Sequence, residues 1–95
     1  MEADLMSNIC QQVVDAARYL QEVGLSERQL TSLHHRSTET FNSAIRYWSV
    51  DREPRPRSLD YAYRLRFIAR EHKGTNQSLD ILVARALSKW PVSKL

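Results

Sequence analysis

An apolar stripe near the start of the chain limits the fold more than any other feature. Met6, Cys10, Val13, Ala17 and Leu20 recur at spacings of four, three, four and three residues. That is the period of one helix face and not of a strand. Leu5, Ile9, Ala16 and Val23 widen the stripe, and Gly24 follows as a left-handed stop. The spacing predicts a helix from about Ala3 to Val23 with room for two neighbours. A central helix of a small bundle accounts for that width. So does a face shared between the domain core and a second copy, and on this account Met6, Cys10, Val13, Ala17 and Leu20 are the candidates for self-association into a homo-oligomer.

Further helices follow from caps and period. Ser26-Glu27-Arg28-Gln29 forms a capping box with Leu25 and Leu30 at the staple positions, predicting a helix that ends near His35. A third helix is expected from Ser37 or Thr38, with Phe41, Ala44, Ile45 and Trp48 on one face. Residues 51–57 hold Pro54 and Pro56 among three arginines and read as a stiff basic connector with no helix inside it. Ser58 then caps a fourth helix reaching about His72, with Leu59, Ala62, Leu65, Ile68 and Ala69 inward and Gly74 as its end. A last helix begins at Thr75 or Asn76, turns Leu79, Leu82, Val83, Ala86, Leu87 and Trp90 inward, and stops at Pro91. The expectation is an all-α fold, a small bundle of four to five helices. With 95 residues there is room for one core, so residues 1–95 form a single helical domain that contains the 51–57 connector.

Several chemistries lack their residues. Cys10 is the single cysteine; it excludes an internal disulfide and sits on the apolar stripe as a small core residue. Neighbouring His34 and His35 point about 100° apart on a helix and do not chelate together, and no carboxylate stands at ligand spacing from them or from His72. Gly24 and Gly74 are isolated, so no phosphate loop forms. Nothing assembles a nucleophile, a base and an oxyanion site. The expectation is a protein that is not an enzyme, with no cofactor, no metal and no small-molecule substrate. No apolar run approaches the roughly 18 residues of a membrane span. The acidic start Met1-Glu2-Ala3-Asp4 does not read as a signal peptide, so no membrane association and a cytoplasmic location are expected.

Charge points to a partner. Residues 1–51 carry four arginines against seven acids, a net of −3, while residues 52–95 carry ten Lys/Arg against four acids, a net of +6. The strongest patch joins Arg52, Arg55 and Arg57 in the connector to the fourth helix. There Tyr63 leads a stripe of Arg66, Arg70 and Lys73, and Phe67 flanks it. Arg64 lies on the same helix, with Asp60 at the i,i+4 pairing distance. Arginine beside aromatic residues suits phosphates and bases, and it suits protein interfaces equally. Glu53, Asp60 and Glu71 interrupt the positive field and favour a protein partner.

The short second and third helices invite a helix-turn-helix, which would make the chain a small DNA-binding transcription regulator over residues 26–48. Neither register fits. If Phe41 anchors the second helix of that motif, His34 falls at an apolar position. If Leu33 is buried, Thr40 and Ser43 turn inward, and the turn His34-His35-Arg36 has no glycine. DNA binding stays as the alternative.

Three stretches carry a resemblance. Cys10-Gln11-Gln12-Val13-Val14-Asp15-Ala16-Ala17-Arg18-Tyr19-Leu20, Gly24-Leu25-Ser26-Glu27-Arg28-Gln29-Leu30 and Pro54-Arg55-Pro56-Arg57-Ser58, taken with the chain length, resemble the small derepression (epsilon) proteins of satellite phages. The resemblance implies an antirepressor in a bacterial host cell. It would bind the immunity repressor of a helper phage and lift repression without itself touching DNA. No functional residue carries over with it.

Overall fold

The computed structural model describes residues 2–92, and the side chains of residues 9–92. Among them are five helices and no strand: α1 (Glu2–Val23), α2 (Glu27–Ser32), α3 (Phe41–Trp48), α4 (Pro56–Thr75) and α5 (Leu79–Lys89). The fold is the all-α bundle expected. α1 is its centre, packing against both α3 and α4, while α5 covers another side of α4. The radius of gyration is 12.5 Å, matching the roughly 12 Å of a compact chain of this length.

The wide face of α1 is consumed inside the molecule. Val13 and Leu20 are fully buried, and Ala17 and Cys10 are nearly so, in one core with Leu30, Leu33, Phe41, Trp48, Tyr61, Leu65, Ile68 and Leu82. Cys10, Val13, Ala17 and Leu20 are therefore core residues and not a self-association surface; the two neighbours that the stripe called for are α3 and α4. The side chain of Met6, the remaining candidate, lies outside the described residues.

Local chemistry sets the helix ends. Gly24, at φ +102°, stops α1, and the Leu25 amide donates to the Leu20 carbonyl at 2.9 Å as the six-residue closure of such a stop requires. The capping box on α2 is present: the Gln29 amide donates to Ser26 Oγ at 3.0 Å and the Ser26 amide to Gln29 Oε1 at 2.9 Å. Five boundaries differ from expectation. α2 stops at Ser32, three residues early, because the chain turns at Leu33. α3 begins at Phe41 and not after Ser37 or Thr38, because Thr40 and Ser43 form a second capping box there. α4 begins at Pro56, within the supposed connector: a proline at the first helical position loses no hydrogen bond, and Arg55 before it is extended as a residue preceding proline prefers. α4 also runs through Gly74 to Thr75, where Asn76 adopts φ 54° and ends it in place of the glycine. In consequence α5 begins only after Ser78, whose side chain makes no capping hydrogen bond.

The link from α2 to α3 spans residues 33–40, against the roughly three to four residues of a helix-turn-helix turn. Thr31 Oγ1 pins it by bonding both the carbonyl and the amide of Glu39 at 3.1 Å, and Glu27 Oε2 accepts from the Phe41 amide at 3.2 Å. The two helices are not one of the bundle's main packed pairs. The link is thus about twice as long as the turn of a helix-turn-helix.

Candidate functional site

The basic patch read along the sequence divides into three environments. One of its arginines is not on the surface. Arg64 is 3% exposed, and its guanidinium donates to the carbonyls of Trp90 at 2.5 Å, Leu33 at 2.7 Å and Pro91 at 3.1 Å. Leu33 and Trp90 are the C-terminal caps of α2 and α5, where carbonyls lack helical partners and carry partial negative charge. Arg64 therefore joins two helix ends from inside. Burial lowers its pKa, and the charge of Asp60 opposes that shift. The pairing expected between Asp60 and Arg64 is thus a background influence, while the hydrogen bonds go to the main chain. Periodicity carried the signal, since Tyr61, Arg64, Leu65 and Ile68 stand at i, i+3, i+4 and i+7.

The second environment is a groove between α1 and α4, closed at one end by Trp90, with a volume of about 470 Å³. Arg66, Arg70 and Lys73 line it together with Tyr63 and Phe67, so the structure unites the α4 residues singled out from the sequence. Its aromatic floor is continuous. Trp90 lies 5.9 Å from Tyr63 and 5.8 Å from Phe67 between ring centroids, and Lys89 Nζ sits 4.7 Å over the Phe67 ring. Lys73 Nζ rests 4.6 Å over Tyr19, whose hydroxyl bonds His72 Nδ1 at 2.7 Å. Gln12 and Asp15 form the facing wall. Sequence reasoning missed that wall and Trp90, because only the docking of α1 and the chain end onto α4 brings them there.

The third environment is a larger concavity, about 1090 Å³, between α3, the 33–40 link and the first turn of α4. It collects Arg52, Arg55 and Arg57 with Arg36 and Arg46, which belong to the acidic half of the chain. The connector arginines therefore face a different space from Arg66 and Arg70. Arg52 stacks 4.4 Å over the Tyr47 ring, and its carbonyl accepts from the buried Cys10 thiol at 3.7 Å. Tyr47 and Ser58 hydroxyls bond at 3.2 Å and tie α3 to α4.

The floor of this concavity holds His34, Glu39 and Tyr61. His34 Nδ1 accepts from the Arg36 amide at 3.1 Å, so Nε2 carries the proton and points at Glu39 Oε2, 3.4 Å away. The neighbouring carboxylate favours a charged imidazole. Burial, then His35, Arg36 and Arg64, outweigh it and push the His34 pKa down from 6.5 to about 4. The accepting Nδ1 agrees, because protonating it would break its hydrogen bond. The Glu39 carboxylate also accepts from Ser43 Oγ. Tyr61 is 2% exposed, its hydroxyl has no hydrogen-bond partner among the described residues, and burial, then Glu39, raises its pKa.

Among the described residues no three His, Cys, Asp or Glu side chains converge to hold a metal ion, and no helix is long and apolar enough to cross a membrane. Comparison with protein families, with curated proteins and with solved structures finds no match for this chain.

Proposed function

We propose that the chain is a helical regulatory protein that works by stoichiometric binding to another protein, and that it is an antirepressor acting on the repressor of a helper phage in a bacterial cytoplasm. The observation that carries the protein-binding half of this reading is the groove between α1 and α4. Tyr63, Phe67 and Trp90 beside Arg66 and Arg70 have the composition that dominates binding energy in protein interfaces, where tyrosine, tryptophan and arginine are the enriched anchors. Asp15 in the facing wall gives the groove both signs of charge, which suits a mixed protein surface better than a uniform phosphate backbone. The antirepressor half rests on the sequence resemblance. The long link before α3 weighs against the alternative, a DNA-binding regulator built on residues 26–48.

Affinity capture from the native host with a Tyr63→Ala/Arg66→Ala/Arg70→Ala variant tests the site. All three side chains are at least partly exposed, so the variant is expected to keep its helical circular dichroism and to lose the captured partner. Equal recovery of the same partner by wild type and variant would move the interface elsewhere.

A further inference from the structure

We infer that the concavity between α3, the 33–40 link and the first turn of α4 binds an oligophosphate group, as a site separate from the α1–α4 groove. The two share no lining residue, so this inference stands or falls independently of the partner contact.

Three observations point to that ligand. First, every Lys/Arg residue lining the concavity is an arginine: 36, 46, 52, 55 and 57, five of the eleven in the chain. The planar guanidinium fork matches phosphate oxygens two at a time, which a lysine does not. Two acids, Glu39 and Glu53, oppose them. Glu39 is already engaged, receiving Ser43 Oγ and facing the Nε2 of His34. Second, Tyr61 stands in the lining with a hydroxyl that is buried and unpartnered among the described residues. Such a group ordinarily has a partner, and a phosphate oxygen that displaces the side chains over it would accept from it. Its raised pKa keeps it a donor. Third, the volume of about 1090 Å³ exceeds what a single phosphate fills, and lies just above the roughly 300–1,000 Å³ of small-ligand sites. Five guanidinium groups round such a space call for several negative charges close together. A chain of phosphoryl groups supplies them more densely than an acidic peptide, whose side chains are spread at about 3.3–3.6 Å per residue.

The walls are held before any ligand arrives. The Tyr47–Ser58 bond fixes α3 against α4, Arg52 is stacked on Tyr47, and the Arg36 amide is tied to His34. The ordering cost of binding is reduced accordingly.

Isothermal titration of the full chain at about 0.15 M salt tests this with sodium tripolyphosphate, ATP, GTP, a decaglutamate peptide and a short single-stranded DNA. Tripolyphosphate is expected to bind saturably at one site per chain. Arg55→Ala/Arg57→Ala should weaken it at least about tenfold, and Tyr61→Phe about threefold to fivefold, while Arg66→Ala/Arg70→Ala leaves it unchanged. Each variant is checked for wild-type helicity and melting. ATP or GTP binding more than about tenfold tighter than tripolyphosphate would assign the source as a nucleotide; equal affinity would assign the phosphate chain alone. The inference is overturned by absence of saturable binding, by equal loss in both arginine pairs, by an unchanged Tyr61→Phe variant, or by decaglutamate or DNA binding as tightly as tripolyphosphate.

Discussion

Arg64 and His34 show how two ionisable groups are accommodated inside a small core. Replacing Arg64 with alanine strands the carbonyls of Leu33, Trp90 and Pro91 and leaves a void between two helix ends. The expected loss is about 2–4 kcal/mol in urea unfolding. Arg64→Lys keeps the charge but not the fork, so it should fall between wild type and alanine. His34 makes stability depend on pH. Its folded pKa of about 4 lies below the unfolded 6.5, so the unfolded chain takes up the proton first. Its contribution is fully present above about pH 6.5 and is lost as the pH falls towards 4. Unfolding measured at about pH 7 and about pH 4.5 should show wild type losing more stability than His34→Gln. Equal losses would mean that His34 is not held neutral by the fold.

At the level of the elements, the two glycines have opposite roles. Gly24 sits at φ +102° and stops α1, whereas Gly74 lies within α4 in helical geometry, and an added Cβ would meet nothing within 4 Å there. Gly74→Ala should raise stability by about 0.5–1 kcal/mol. Gly24→Ala should lower it by about 1–2 kcal/mol. Thermal melts of the two variants are expected to move in opposite directions. The sequence shows why Gly74 misleads: a lone glycine after a helical run reads as a stop, yet Asn76 two residues on also tolerates the left-handed conformation and takes that role. Pro56 misleads in the same way. A proline breaks a helix interior but opens a first turn, and only its position relative to Arg55 separates the two cases. The Ser26 capping box and the α1 stripe were legible because they are local patterns, complete within one stretch of chain.

Across the whole molecule, what was legible follows the same division. The all-α bundle and the Tyr63–Arg66–Arg70 face could be read from period alone. The separation of Arg55 and Arg57 from Arg66 could not, because it depends on the side of α4 to which α1 and α3 dock. Arg36 and Arg46 join the connector arginines only in three dimensions, so the charge imbalance between the halves understates how strongly one concavity is basic. The width of the α1 stripe is accounted for within one chain, because α3 and α4 pack against it. The proposed function is that of a small helical bundle that binds a protein through the α1–α4 groove. A mobility-shift titration tests it most directly, using operator DNA bound by the helper-phage repressor that the resemblance implies. Added chain is expected to dissolve the repressor–DNA band and release free DNA, while the chain alone leaves the DNA unshifted. A shift of the bare operator by the chain alone, steeply weakened by salt, or a repressor–DNA band that persists at excess chain, would contradict it.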